Sequence, residues 1–95
     1  MKLRLKPEDE AKGFYFLDHT PTGKVFTGTS TNMKKTLLFL QAELDTGISE
    51  HGKLAELNKK ESDFTVKCFP QSSMADAKKA EKNFRKLKPE HLLLN

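Results

Sequence analysis

Five basic side chains near the end of the chain have a spacing that could serve phosphate binding. At 100° per residue they fall within about 120° of one another around a helix. The set is Lys78, Lys79, Lys82, Arg85 and Lys86. Such a stripe can follow a nucleic-acid backbone, because each neutralised phosphate releases counterions. Two other interpretations stay open: a solvated helix face whose cations suit the helix C-terminus, and a surface for an acidic protein partner.

A helix that carries this stripe is predicted up to about Leu87. Ser73, followed three residues later by Asp76, resembles a capping box in which Asp takes the usual place of Glu. Pro89 lies just beyond the predicted end, where a helix can no longer continue. The other side of the helix offers an apolar face: Met74, Ala77, Ala80, Phe84 and Leu87.

The stretch GFYFLDHTPTGKVFTGT, from Gly13 to Thr29, predicts a β-hairpin. Residues 12–19 form an aromatic-rich strand, and residues 24–29 form a second one. The turn falls at Pro21-Thr22-Gly23, because proline presets φ and glycine accepts a positive φ.

Further helix and strand signals follow the hairpin. Apolar residues at helical spacing predict a first helix, with Ser30 or Thr31 as its N-cap and Gly47 as the residue that closes it. Ser49 is predicted to cap a shorter second helix. Alternation of apolar side chains over residues 64–69 predicts a third strand.

These elements define an α+β fold with the order ββααβα. We expect a three-stranded mixed sheet with flanking helices. Residues 1–12 are expected to form an N-terminal arm or an edge strand, and residues 13–88 the domain proper. Residues 89–95 are expected to be a C-terminal tail that packs on the domain.

Length and composition limit the classes of function. The 95 residues suffice for one small domain, and the net charge of +4, from 17 basic and 13 acidic residues, permits nucleic-acid binding without requiring it. No apolar run reaches the roughly 20 residues of a membrane span, and the N-terminus lacks the apolar core of a signal peptide. The single Cys68 excludes an internal disulfide and fits a cytoplasmic location.

The hairpin and the element order together resemble the GIY-YIG nuclease domain. The first motif is Gly13-Phe14-Tyr15 and the second is Phe26-Thr27-Gly28. The link Thr22-Gly23-Lys24-Val25 is similar to the usual NGKVY of that family. The resemblance extends from Gly13 to Leu87, and further matching residues lie on the helices: Asn32, Met33, Lys34, Lys35, His51, Lys53, Leu54, Asn58, Lys59, Glu81 and Phe84.

The resemblance implies phosphodiester hydrolysis with one divalent metal ion such as Mg²⁺. The tyrosine that helps to activate water falls on Tyr15. The metal-binding glutamate of the last helix falls on Glu81, or on Lys82 if the alignment shifts by one residue. A C-terminal asparagine of the family corresponds to Asn95. The second-motif tyrosine is replaced by Phe26. The phosphate-binding arginine of the first helix is replaced by Thr36, and the lysines just before it do not supply the bidentate fork of an arginine.

These departures predict a catalytically degenerate domain, because losing one charge-stabilising group costs about 10²–10³ in rate. We expect the protein to bind nucleic acid, DNA rather than RNA, or to compete with a nuclease for its substrate. Lys34 and Lys35 join the stripe as candidate contacts. One alternative is an inhibitor or regulator of a host or phage enzyme on the same fold. A second alternative is a residual metal-dependent endonuclease. No cofactor is required unless that activity survives.

One face of the first helix is apolar where the resemblance implies a polar surface. Leu38, Phe39 and Ala42 lie on the side opposite the residues expected to pack into the core. Two interpretations stay open. The apolar tail Leu92-Leu93-Leu94 covers this face, or the face binds a protein, either a second copy or a target.

Overall fold

The computed structural model describes every residue from Met1 to Asn95. It confirms the predicted α+β fold and the order ββααβα. The strands are β1 (Gly13–His19), β2 (Lys24–Ser30) and β3 (Phe64–Pro70); the helices are α1 (Met33–Thr46), α2 (Gly52–Leu57) and α3 (Met74–Lys86). Short 3₁₀ turns occur at Pro7–Glu10 and Glu90–Leu92. None of the helices has the length and apolar character that crossing a membrane requires.

The sheet has the strand order β2-β1-β3, and both pairings are antiparallel. The prediction of a mixed sheet is therefore wrong. β2 and β3 do run in the same direction, but β1 lies between them, so no parallel pair forms. The hairpin forms as predicted, with Gly23 at a φ of 72° in its turn.

The two faces of the sheet bury different side chains. One face of β1 contributes Tyr15 and Leu17 to a core shared with α1 and α2, where Met33, Leu37 and Leu54 are fully buried. Alternation along the strand sends Phe14 and Phe16 to the opposite face. There they meet α3 in an aromatic cluster that consists of Phe14, Phe16, Phe69 and Phe84.

The helix boundaries follow from capping interactions, with two corrections to the prediction. The N-cap of α1 is Asn32, whose side chain accepts from the Lys35 amide, rather than Ser30 or Thr31. α2 starts at Gly52 and has no side-chain cap, because Ser49 instead accepts from the backbone of His51.

Two other caps agree with the prediction. Gly47 closes α1 at a φ of 77°, a left-handed conformation that glycine adopts without a β-carbon penalty. At the start of α3, Ser73 accepts from the Asp76 amide, while the Asp76 carboxylate bonds Ser72 instead of completing a capping box.

The two terminal segments pack at different places. Residues 1–6 form no strand; Met1 and Leu3 are buried in the core, so this segment is an arm rather than an edge strand. At the other end, Leu94 is 7% exposed, and its amide donates to the Val25 carbonyl at 2.7 Å. The tail therefore lies along β2. It leaves Leu38 and Phe39 uncovered, at 45% and 68% exposure.

Candidate functional site

The Thr27 side chain is the centre of a polar network on the α3 side of the sheet. Thr27 is the middle residue of the second motif and is 1% exposed. Its hydroxyl donates to Glu81 Oε2 at 2.8 Å and accepts from Arg85 Nη1 at 2.8 Å. Glu81 and Arg85 are four residues apart on α3, so both side chains reach the same point of β2.

Asn95 completes this network from the tail. Its Oδ1 accepts from the Thr27 amide at 3.1 Å, and its Nδ2 donates to the Thr27 carbonyl at 2.6 Å. Arg85 donates through Nη1 to Asn95 Oδ1 at 3.2 Å and through Nη2 to the Asn95 carbonyl. We call Thr27, Glu81, Arg85 and Asn95 the Thr27 network. Every one of its members bonds at least one other.

Sequence reasoning identified Glu81 and gave Arg85 a different role. The structure places Glu81 against Thr27, while the neighbouring Lys82 is exposed. Arg85 is half-buried in the network rather than free on the stripe. The available signal was its position four residues after Glu81, which puts both on one helix face. Asn95 was matched only through the resemblance, and no residue near it in the sequence indicated that it would contact Thr27 and Arg85.

Tyr15 lies on the other face of the sheet, where its ring packs on Gly28. A β-carbon at residue 28 would lie 2.3 Å from the Tyr15 hydroxyl and 2.5 Å from Cζ, so only glycine leaves room for the ring. Burial, with a smaller contribution from the Glu81 carboxylate, raises the pKa of Tyr15 to about 12. The phenol therefore stays protonated at neutral pH.

Phe26 and Thr36 stand where the resemblance implies a tyrosine and an arginine, and both contact other residues of the chain. Phe26 is 4% exposed and meets the His51 ring edge-on, with the ring centroids 4.9 Å apart. Thr36 bonds its hydroxyl to that of Ser30 beside the start of α1. Neither side chain supplies a phenol or a cation, and both make contacts within the fold.

The residues around Glu81 do not fit the divalent ion that the resemblance implies. Glu81 is the only acidic side chain of the Thr27 network, and one of its oxygens already accepts from Thr27. The positively charged Arg85 bonds the same hydroxyl, so a second cation would meet fixed repulsion. No group of three His, Cys, Asp or Glu side chains anywhere in the chain is arranged to hold a metal ion.

The remaining basic residues of the stripe stay at the surface. All four are exposed, and none forms a salt bridge: Lys78, Lys79, Lys82 and Lys86. Viewed down the helix axis, Lys78 and Lys82 lie within about 100° of Glu81. The charged surface therefore begins beside the Thr27 network.

Lys34 and Lys35 are not part of that surface. They lie on α1, which packs on the opposite face of the sheet from α3, and Lys34 approaches Glu10 at 4.0 Å. The structure therefore does not bring these two lysines together with the lysines of α3.

The fold is similar to that of a solved nuclease domain. The chain superposes on the catalytic domain of the homing endonuclease I-TevI with a TM-score of 0.72. The match covers 88% of this chain and 96% of that one, at 19% sequence identity. No protein-family model and no curated protein sequence matches the chain. The protein therefore has a GIY-YIG-like fold.

Proposed function

We propose that this protein binds the phosphate backbone of duplex DNA through α3 and does not cleave it. The observation that carries the proposal is the row of four exposed, unpaired lysines beside the Thr27 network: Lys78, Lys79, Lys82 and Lys86. Because no carboxylate neutralises them, their charge is available to an outside phosphate.

Salt dependence is the quantitative signature of this binding. Four neutralised phosphates give a slope of log affinity against log salt of about −3.6, at 0.9 per contact. Affinity then falls by about a hundredfold between 50 and 200 mM salt. A solvated helix face without a ligand gives no such signal.

The altered motif residues support binding without cleavage. Phe26 has no hydroxyl, and Thr36 has no charge to offer a phosphate. Arg85 could supply that charge from α3, but both of its terminal nitrogens already donate within the chain. The protein thus keeps a lysine surface on α3 that can attract DNA, while positions 26 and 36, on the other face of the sheet, lack the hydroxyl and the charge that the resemblance implies.

The first experiment is fluorescence anisotropy of a labelled DNA duplex titrated with the protein at about 50 and 200 mM salt. The test variant is Lys78→Gln, Lys82→Gln and Lys86→Gln. The control variant, Lys53→Gln, Lys59→Gln and Lys60→Gln, removes the same charge from exposed lysines on and after α2. We expect only the first to lose affinity, with a slope shallower by about 2.7. Equal loss in both variants, or no binding by the wild type at low salt, would reject the proposal.

A second experiment tests the loss of catalysis. Wild-type protein, Glu81→Gln and the double variant Phe26→Tyr with Thr36→Arg are each incubated with plasmid DNA and Mg²⁺. We expect no cleavage by the wild type. Cleavage by the double variant alone would support descent from an active nuclease. Cleavage by the wild type that Glu81→Gln removes would establish a surviving endonuclease and overturn the proposal.

The apolar face of α1 favours protein association as a second candidate function. With the tail on β2, nothing in the chain covers Leu38 and Phe39. We propose that this face pairs with a second copy of the chain; binding to a host or phage enzyme, as an inhibitor or regulator, is the other outcome. Sedimentation equilibrium of wild type against Leu38→Asp with Phe39→Asp tests it. A monomeric wild type would reject the homodimer proposal. An unfolded variant would show that Leu38 and Phe39 are needed for folding.

A further inference from the structure

One edge of the sheet is covered by the C-terminal tail, and the other edge is not. β1 is central, so β2 and β3 each present one edge. On β2, the tail satisfies outward-facing backbone groups, since Leu94 bonds Val25 and Asn95 bonds both the amide and the carbonyl of Thr27. That edge is closed over these residues.

The outer edge of β3 carries no such cover. Backbone bonds at either end of the β1–β3 ladder, Thr20 to Asp63 at 2.9 Å and Gln71 to Lys12 at 3.0 Å, fix which residues face β1. Because pairs alternate in an antiparallel ladder, the backbone groups of Phe64, Val66 and Cys68 point outward. None of these groups has a backbone partner in the chain. Pro70, which has no N–H, ends this free edge.

A basic groove runs beside the free edge. The N-terminal arm buries Leu3 and partly buries Leu5, so the alternate side chains Lys2, Arg4 and Lys6 are exposed. These three line a groove of about 590 Å³ together with Glu61, Ser62, Phe64, Thr65 and Val66. Its three positive and one negative side chains leave a formal charge of +2.

We propose that the free edge of β3 binds an extended acidic peptide, which adds a strand to the sheet. An added strand supplies both donors and acceptors to Phe64, Val66 and Cys68. Acidic side chains at every second position of that strand recur about every 6.6–7 Å. Lys2, Arg4 and Lys6 also occupy every second position of the arm, so an extended arm repeats its positive charges at the same distance. The half-buried Val66 supplies apolar surface to the same groove, while Phe64, which also lines it, is 4% exposed and packs mainly into the core.

The chemistry of the groove discriminates against other occupants. A second copy of this chain would bring its own basic arm to the edge, and like charges would repel. A nucleic-acid strand matches the charge, but its phosphate oxygens only accept hydrogen bonds, so its backbone cannot pair with the outward carbonyls of β3 as a peptide backbone does. An acidic peptide satisfies both requirements. This proposal does not depend on DNA binding by α3.

The test uses a fluorescein-labelled peptide of seven residues that alternates Glu and Val, with blocked ends, titrated into the full-length protein. The arm variant is Lys2→Gln, Arg4→Gln and Lys6→Gln. Its control is the α3 variant Lys78→Gln, Lys82→Gln and Lys86→Gln, which removes the same charge elsewhere. We expect the arm variant to bind about tenfold more weakly and the α3 variant to bind like the wild type. Equal effects of the two variants, or no binding by the wild type, would overturn the proposal.

A second peptide separates strand addition from charge attraction. It has the same sequence, with the backbone nitrogens of alternate residues methylated so that they cannot donate. Loss of binding by this peptide supports a hydrogen-bonded strand, and unchanged binding contradicts it. A single-stranded oligodeoxynucleotide is titrated in parallel. If it binds more tightly than the acidic peptide and loses affinity only in the arm variant, the groove belongs to nucleic acid and the proposal fails.

Discussion

Arg85 and Asn95 bind each other across the gap between α3 and the tail. Nη1 of Arg85 donates to Asn95 Oδ1 at 3.2 Å, and Nη2 donates to the Asn95 carbonyl. Asn95 thus receives the two-pronged interaction that a guanidinium can give to two phosphate oxygens. The guanidinium of Arg85 is therefore already bound within its own chain, and the DNA contacts that we propose are left to the lysines around it.

The first prediction concerns Asn95→Ala. The substitution leaves both backbone groups of Thr27 without partners at a buried position, and we expect the free energy of unfolding to fall by about 1–3 kcal/mol. Urea denaturation followed by circular dichroism measures it. The control Asn83→Ala, at an exposed position of α3, is expected to raise stability slightly, by up to about 0.7 kcal/mol, because alanine is the better helix former. Equal stability of the two variants would show that the contacts of Asn95 contribute nothing.

The second prediction compares two glycine substitutions. In Gly28→Ala the new β-carbon overlaps the buried Tyr15 ring, so we expect a loss of about 1–3 kcal/mol from overpacking. In Gly52→Ala nothing lies within 4 Å of the new carbon, and α2 gains a better helix former. Thermal denaturation of both variants makes the comparison. A neutral Gly28→Ala would mean that the ring has room to move.

The third prediction concerns the ionisation of Tyr15, which absorbance near 295 nm reports cleanly because the chain has one tyrosine and no tryptophan. Burial raises its pKa from 10 to about 12, so the folded state favours the protonated phenol. This contribution to stability is complete below pH 10 and is lost as the pH rises through 12. We expect only a few per cent of tyrosinate at pH 10.5 while the circular dichroism is native. Reversible ionisation near pH 10 in the folded protein would contradict the buried position.

The fourth prediction concerns the reactivity of Cys68. Burial and the nearby Asp9 carboxylate raise the pKa of this thiol to about 12, so little thiolate exists at pH 8. We expect labelling by iodoacetamide to be roughly a hundredfold slower in the folded protein than in urea. Similar rates in both states would show that the thiol is open to solvent.

Local signals predicted the local parts of this fold. The Pro21-Thr22-Gly23 turn, the Gly47 helix end and the Ser73 cap each depend on residues a few positions apart, and the structure contains all three. The cap at Ser49 failed because the side chain bonds the backbone two residues later, in a turn that precedes α2. Ser and Asn serve both purposes, and the sequence does not say which one a given residue takes.

The nonlocal parts could not be derived in the same way. The position of β1 between β2 and β3 made the sheet antiparallel throughout, and no strand's own residues specify its neighbours. Arg85 looked like one more member of a basic stripe because periodicity gives its direction but not its partner. That partner, Asn95, lies ten residues further along the chain.

The placement of the tail on β2 also has a kinetic meaning. Thr27 and Asn95 are 68 positions apart, so their hydrogen bonds close a very long loop and bring no local contacts in return. We expect these bonds to form after the main barrier to folding has been crossed. Asn95→Ala would then leave the refolding rate nearly unchanged and accelerate unfolding. The tail would thus act on how long the folded molecule lasts, rather than on how quickly it is made.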